Sequence, residues 1–264
     1  MTPLLGLGFD DLGVRDAARL LAARPAEDRF GYVVTPNADH LVRLHRRPAL
    51  REVYRGAILI LLDSRVVAGA ARLLRLPCPA VAPGSDLAAE IIGCHVSPGE
   101  RITIIGLRAA LLPALVARCG LAPPAHFDPP LGFEADPDAW AAAVGFALSN
   151  PARFTFLAVG SPRQELLAQA IAATGRATGV GLCVGASLEF LAGGRPRAPG
   201  WMRACGLEWL HRLAGERRRL ARRYLVDSPP VFALLLRERM ARLVDRPGRA
   251  ASTSRRIRSG SVPR

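Results

Sequence analysis

Residues 154–173 read FTFLAVGSPRQELLAQAIAA, and this stretch decides the fold. Its first six residues, Phe154 to Val159, form an apolar run of strand length. Gly160, Ser161 and Pro162 turn the chain, and Gln164 to Ala173 continues with helical spacing of apolar residues. The same succession recurs on both sides. Tyr32 to Thr35, Ala57 to Leu62, Arg101 to Ile105 and Val180 to Val184 are further buried-strand candidates. Helical periods separate them at Val14 to Ala23, Ala38 to Arg55 with a break near Pro48, Val66 to Leu74, Leu87 to Ile92, Ala109 to Cys119 and Pro137 to Leu148. Such alternation predicts a Rossmann-like α/β fold: parallel strands, right-handed crossovers and helices on both faces of the sheet.

Ligands of such sheets bind beyond the carboxyl ends of the strands, so the segments after the apolar runs are the candidate site. Asp63, just past a wholly apolar run, is either a partly desolvated general base or, with Ser64, the cap of the helix near Arg65. Thr35 and Asn37 offer a hydroxyl and an amide on a proline-stiffened turn, suited to sugar hydroxyls or to orienting a carboxylate across the cleft; an Asn helix cap explains the same letters. Gly84-Ser85-Asp86 opens a helix as a phosphate cradle would, although Asp86 adds a negative charge and suits a plain cap equally well. At Gly160-Ser161-Pro162-Arg163-Gln164-Glu165, Gly160 and Glu165 read as substrate contacts, Gln164 as a donor or acceptor contact and Arg163 as a phosphate contact. The alternative there is an ordinary helix start with Glu165 favouring the dipole. Gly6-x-Gly8 lacks the third glycine and the distant acid of a dinucleotide fingerprint, so no such cofactor is expected.

At 264 residues and 50% hydrophobic, the chain can bury a substantial core. Its formal charge is +14 and none of its 36 basic residues is lysine, so every fixed cation is a guanidinium suited to phosphate or carboxylate. The excess is concentrated from Arg195 to Arg264. Five scattered cysteines without a Cys-x-x-Cys pair point to a reducing compartment, and the five histidines lack metal-site spacing, so no structural metal is expected. The N-terminus meets Asp10 and Asp11 too soon for a secretory signal, and no apolar run is long enough to span a bilayer. The expected division is an α/β catalytic core over 1–193, a basic helical appendage over 194–246 and a disordered tail over 247–264. In the appendage, arginines interleave with Trp201, Trp209 and Tyr224, a mixture suited to an anionic membrane surface, with Val231 to Leu236 dipping deeper.

These blocks, in this order, resemble the WecG/TagA/CpsF glycosyltransferases of bacterial surface polysaccharide synthesis. The resemblance runs from Leu5-Gly6-Leu7 through Thr35-Pro36-Asn37-Ala38, Leu62-Asp63, Gly84-Ser85-Asp86-Leu87 and Pro162-Arg163-Gln164-Glu165. It is most specific at Arg197-Ala198-Pro199, Trp201-Met202, Gly206-Leu207-Glu208-Trp209-Leu210 and Arg222-Arg223-Tyr224. It implies inverting, metal-independent transfer of a hexose-type sugar from a UDP-sugar to a polyprenyl-diphosphate-linked acceptor at the cytoplasmic face of the plasma membrane. Asp63 matches the family's proposed base, Thr35 and Asn37 its active-site threonine and asparagine, and Gln164 the glutamine beside them. The appendage, which in the family closes over the site, brings Arg212, Arg219, Arg222 and Arg223 as cations for the departing diphosphate. Three departures stand out: Asp63-Ser64 for the usual Asp-Gly, Arg163 for lysine, and Leu131-Gly132-Phe133-Glu134 for a His-Gly-Tyr-Phe segment.

Two other classes fit parts of the sequence. A nucleic-acid binder would use the arginines but leave Asp63 idle, so no nucleic acid is expected; a non-catalytic assembly scaffold would leave the strand-exit residues without a task. Self-association into a homo-oligomer is compatible with either reading.

Overall fold

The computed structural model describes residues 1–194, 196, 198–205, 207–215 and 221–244. The segment 247–264, expected to be disordered, lies outside the described residues, as do Arg195, Arg197, Gly206 and Arg219.

A six-stranded parallel sheet forms the centre, in the order β4-β3-β8-β7-β5-β6. Its strands are β3 (Gly31–Val34), β4 (Leu59–Ile60), β5 (Thr103–Gly106), β6 (Ala125–Phe127), β7 (Phe154–Ala158) and β8 (Val180–Cys183). The four inner strands are buried almost throughout, as strands covered on both faces must be. Alternate residues feed two cores. Tyr32, Val34, Ile105, Leu157 and Cys183 face one layer, whose helices include α2 (Ala38–Arg46), α3 (Leu50–Arg55), α4 (Arg65–Leu73), α7 (Pro137–Ser149) and α8 (Arg163–Ala173). Val33, Ile104, Phe156 and Leu182 face the other, formed by α1 (Val14–Ala22), α5 (Gly84–Cys94), α6 (Leu112–Cys119) and α9 (Ser187–Leu191).

The expected Rossmann-like α/β architecture is therefore present, with three additions. An antiparallel hairpin of β1 (Thr2–Leu4) and β2 (Leu7–Phe9) opens the chain, β6 adds an edge strand, and α9 follows β8. The turn of the hairpin needs a positive φ at Leu5 and Gly6, and only the glycine announces it in the sequence. Helix α5 also starts three residues earlier than its apolar period indicates, so Gly84, Ser85 and Asp86 form its first turn after Pro83.

β5 leads to β6 through α6 on one face, whereas β7 leads to β8 through α8 on the other, so adjacent strands send their crossovers apart. Such a divergence marks the point beyond whose carboxyl ends open α/β sheets bind ligands. There β5 and β7 approach so closely that a β-carbon on Gly106, at φ +92°, would lie 2.6 Å from the Ala158 carbonyl carbon.

After α10 (Gly200–Ala204) and α11 (Glu208–Gly215), a π-helical turn at Arg223–Asp227 packs against α2, and α12 (Pro230–Val244) packs on α2 and α4. The expectation that Val231 to Leu236 dips as a unit into a membrane is corrected here. Helical periodicity divides the run: Val231, Leu234 and Leu235 are buried in the core, while Phe232 and Leu236 are exposed. Glu238 accepts a hydrogen bond from the Leu5 amide at 2.7 Å, and Arg242 bonds both Glu238 and the Pro3 carbonyl. The hairpin turn is thus clasped by the last described helix.

Candidate active site

Three of the four candidate segments meet at the carboxyl edge of β3 and β4. The Asp63 amide donates to the Pro36 carbonyl at 3.0 Å, continuing the β3–β4 pairing past the strands and holding Asp63 beside the Thr35-Pro36-Asn37 turn. An isolated bridge between Leu62 and Val81, with the Ala82 amide on the Leu62 carbonyl at 2.9 Å, brings Pro83 and α5 to the same place. The Thr35 hydroxyl then lies against Gly84, where a β-carbon would come within 2.7 Å of Oγ1. Glycine at 84 is what lets the helix start approach this close.

The capping alternatives are also realised. Asn37 Oδ1 accepts from the Asp39 and His40 amides at 3.2 and 3.5 Å, so it caps α2. Ser64 Oγ accepts from the Val67 amide at 3.2 Å and caps α4, a bond that the glycine usual in the family does not supply. Asp63 itself is half-buried and stands just outside that helix.

The fourth segment, at the β7 exit, is joined from the far end of α2. Arg43 reaches from Asp39, at 2.6 Å, to the Ser161 hydroxyl, at 2.7 Å. Gln164 and Glu165 are buried. Gln164 Oε1 accepts from the Gly185 amide beyond β8 at 2.8 Å, and its Nε2 donates to Glu165 Oε1 at 2.8 Å. His40 Nδ1 lies 4.0 Å from the same carboxyl oxygen and 3.2 Å from the Tyr54 hydroxyl. Burial pushes the Glu165 carboxyl above its ordinary range, opposed by hydrogen bonds from Gln164 and Ser161 and by the Arg43 charge. Burial, then the Glu165 charge, raises Tyr54 in turn.

Arg163 sits at the start of α8, a third exposed, with Nη1 3.7 Å from Glu134 Oε1. The segment that departs from the family's His-Gly-Tyr-Phe is thereby held to this loop: Gly132 turns it at φ +81°, buried Phe133 stacks on Trp140 at 5.6 Å, and Glu134 meets Arg163. Arg222 is largely exposed, 4.0 Å from Asp227. The side chains of Arg212 and Arg223 lie outside the described residues.

Residues 2–244 match the model of the glycosyl transferase WecG/TagA/CpsF family, nearly the whole chain. The chain belongs to that family. As a WecG/TagA/CpsF member the protein is a glycosyltransferase, and its Thr35, Asn37 and Asp63 are gathered at one sheet edge with Gly84. No curated protein matches the chain significantly. Among the described residues no group of three or more His, Cys, Asp or Glu is placed to hold a metal ion, and no described helix is long and apolar enough to cross a membrane.

His40, Arg43, Tyr54 and Gly185 were not singled out from the sequence, although they connect three strand exits of this glycosyltransferase. A signal for the first two exists: Asp39, His40 and Arg43 recur at helical spacing and put polar groups on one side of a helix whose Leu41, Val42 and Leu44 are buried. Nothing local marks Tyr54 or Gly185, which reach the cluster only through tertiary packing.

Proposed function

We propose that the protein transfers a hexose-type sugar from a UDP-sugar to a polyprenyl-diphosphate-linked acceptor, with inversion and without a metal ion, in bacterial surface or exopolysaccharide synthesis. What supports this reading is the convergence of Asp63, the Thr35 turn and the first turn of α5 at one sheet edge. In the proposed reaction the Asp63 carboxylate takes the acceptor hydroxyl proton as that oxygen bonds the anomeric carbon. The bond from that carbon to the diphosphate oxygen breaks on the opposite face, UDP leaves with the electron pair, and configuration inverts in one displacement.

Thr35 and Asn37 hold sugar hydroxyls, Gln164 orients the bound sugar, and the turn of Gly84, Ser85 and Asp86 presents the positive end of α5 to phosphate. The uridine diphosphate runs toward Gly160, beyond the carboxyl ends of β5 and β7. Arg163 and the arm residues Arg212, Arg219, Arg222 and Arg223 are assigned to the charge that grows on UDP. The arm between α9 and α12 closes over the site at an anionic membrane surface on the cytoplasmic side. The exposed stripe Phe232, Leu236 and Met240, beside Arg237 and Arg239, is the part of α12 assigned to lipid.

A screen of UDP-sugars against a short-chain polyprenyl-diphosphate-sugar acceptor tests the reading. One donor should be consumed, giving a product of inverted anomeric configuration at a rate unaffected by chelator. No turnover of any donor, with steep salt-dependent nucleic-acid binding instead, would refute it.

A further inference from the structure

Gln164 is a buried amide whose two ends look alike in shape and opposite in chemistry, so something must decide which way round it sits. Two contacts do so. The Gly185 N–H points at Oε1 from 2.8 Å, and Glu165 Oε1 accepts from Nε2 at 2.8 Å. Turning the amide over would set two donors against each other at Gly185 and two acceptors at Glu165, losing both bonds in a buried place.

Glu165 is suited to this task and poorly suited to any other. At 1% exposure against 3% for Gln164, Glu165 is the deeper of the two side chains. Its Oε2 has no hydrogen-bond partner among the described residues, so the carboxyl is not there to complete a saturated structural network. Its surroundings are polar and fixed: Arg43 holds the neighbouring Ser161 hydroxyl at 2.7 Å, and His40, itself bonded to Tyr54, stands 4.0 Å from Oε1. Stability alone would be served as well by an apolar side chain at this depth.

We propose that Glu165 is a positioning residue that acts through Gln164, fixing its amide so that the second Nε2 hydrogen and the second Oε1 lone pair keep one orientation toward the bound sugar. The inference rests on the proposed glycosyl transfer for its kinetic consequence and not for its structural one. Its required chemistry is a hydrogen-bond acceptor at 165, neither a charge nor a mobile proton.

The test uses the ¹⁵N-labelled full chain and a kinetic series. The Gln164 side-chain amide signal, identified by its loss in Gln164→Ala, should exchange slowly with solvent in the wild type and in Glu165→Gln, and rapidly in Glu165→Leu. In transfer assays Glu165→Leu should lower kcat/KM about tenfold to a hundredfold, whereas Glu165→Gln, which keeps a carbonyl acceptor, should stay within about threefold. Glu165→Leu combined with Gln164→Ala should be no worse than Gln164→Ala alone. Losses that multiply, a Glu165→Gln variant as impaired as Glu165→Leu, or a freely exchanging amide in the wild type would each overturn the proposal. If Glu165→Leu does not fold, the exchange of wild type and Glu165→Gln decides. If the wild type transfers no sugar, the proposed function fails, while the amide exchange still judges Glu165.

Discussion

Gly84→Ala perturbs the site by a known distance without removing a functional group. The new β-carbon would lie 2.7 Å from Thr35 Oγ1, whereas ordinary contact begins near 3.4 Å, so the hydroxyl must retreat by about 0.7 Å. Displacements near 1 Å in a positioned group cost about a hundredfold, so kcat/KM should fall about tenfold to a hundredfold. Folding should suffer little. Overpacking costs about 1–3 kcal/mol, while replacing glycine at a backbone conformation that alanine also adopts returns about 0.4–1 kcal/mol through the unfolded chain. Denaturant unfolding followed by a transfer assay separates the two effects. Thr35→Ala supplies the control, because it deletes Oγ1 and leaves its Cβ at 3.6 Å, an ordinary contact. In that background Gly84→Ala should have no further effect on turnover. Wild-type kcat/KM in folded Gly84→Ala, or an equal loss in the Thr35→Ala background, would refute the idea that Gly84 exists to seat the Thr35 hydroxyl.

The two faces of α12 should respond differently to the same truncation. Leu235→Ala removes a fully buried side chain and should cost about 2–5 kcal/mol in thermal or chemical unfolding. Leu236→Ala, half exposed on the adjacent face, should stay within about 0.5 kcal/mol yet weaken binding to anionic vesicles. At the amino edge of the sheet, Arg153 holds Glu100 through two bonds of 2.8 Å. Burial would raise the Glu100 carboxyl, but the hydrogen bonds and charge of Arg153, with the Ser97 amide, outweigh it and leave it below its ordinary 4.5. A lowered folded value means stabilisation present above pH 4.5 and lost as pH falls through the lowered value. Arg153→Leu should therefore cost about 1.5–3 kcal/mol at neutral pH and flatten the acid limb of the stability profile measured from pH 7 to 3.

The sheet was legible because its inner strands are apolar throughout and short, with glycine or proline turns beside helical periods; Phe154 to Val159 followed by Gly160 is the clearest case. What escaped was structure without that signature. β6 is only Ala125–Phe127 and is half-exposed, and the β1–β2 hairpin turns on Leu5, a residue seldom found at positive φ. In the site, Thr35, Asn37, Asp63 and Gly84 were readable because each stands just past an apolar run or opens a helix. Glu165 was read as a substrate contact or a dipole-favouring helix residue, whereas its side chain is buried against Gln164. That burial depends on His40 of α2 and Tyr54 of α3 packing beside it, a tertiary fact no local pattern carries. The same holds for Val231 to Leu236, where hydrophobicity was evident but the division between core and surface needed the helical phase of α12 against α2 and α4.

Whether the Asp63 carboxylate accepts the proton of the attacking hydroxyl is decided by Asp63→Asn. The substitution keeps size and hydrogen-bonding shape but removes the basic oxygen pair, and loss of a general base costs about a hundredfold to ten-thousandfold in turnover. Measured with UDP-sugar and lipid-linked acceptor, kcat should fall by that factor while UDP affinity and unfolding midpoint stay at wild-type values. Turnover at the wild-type rate in the folded Asp63→Asn protein would rule out Asp63 as the base.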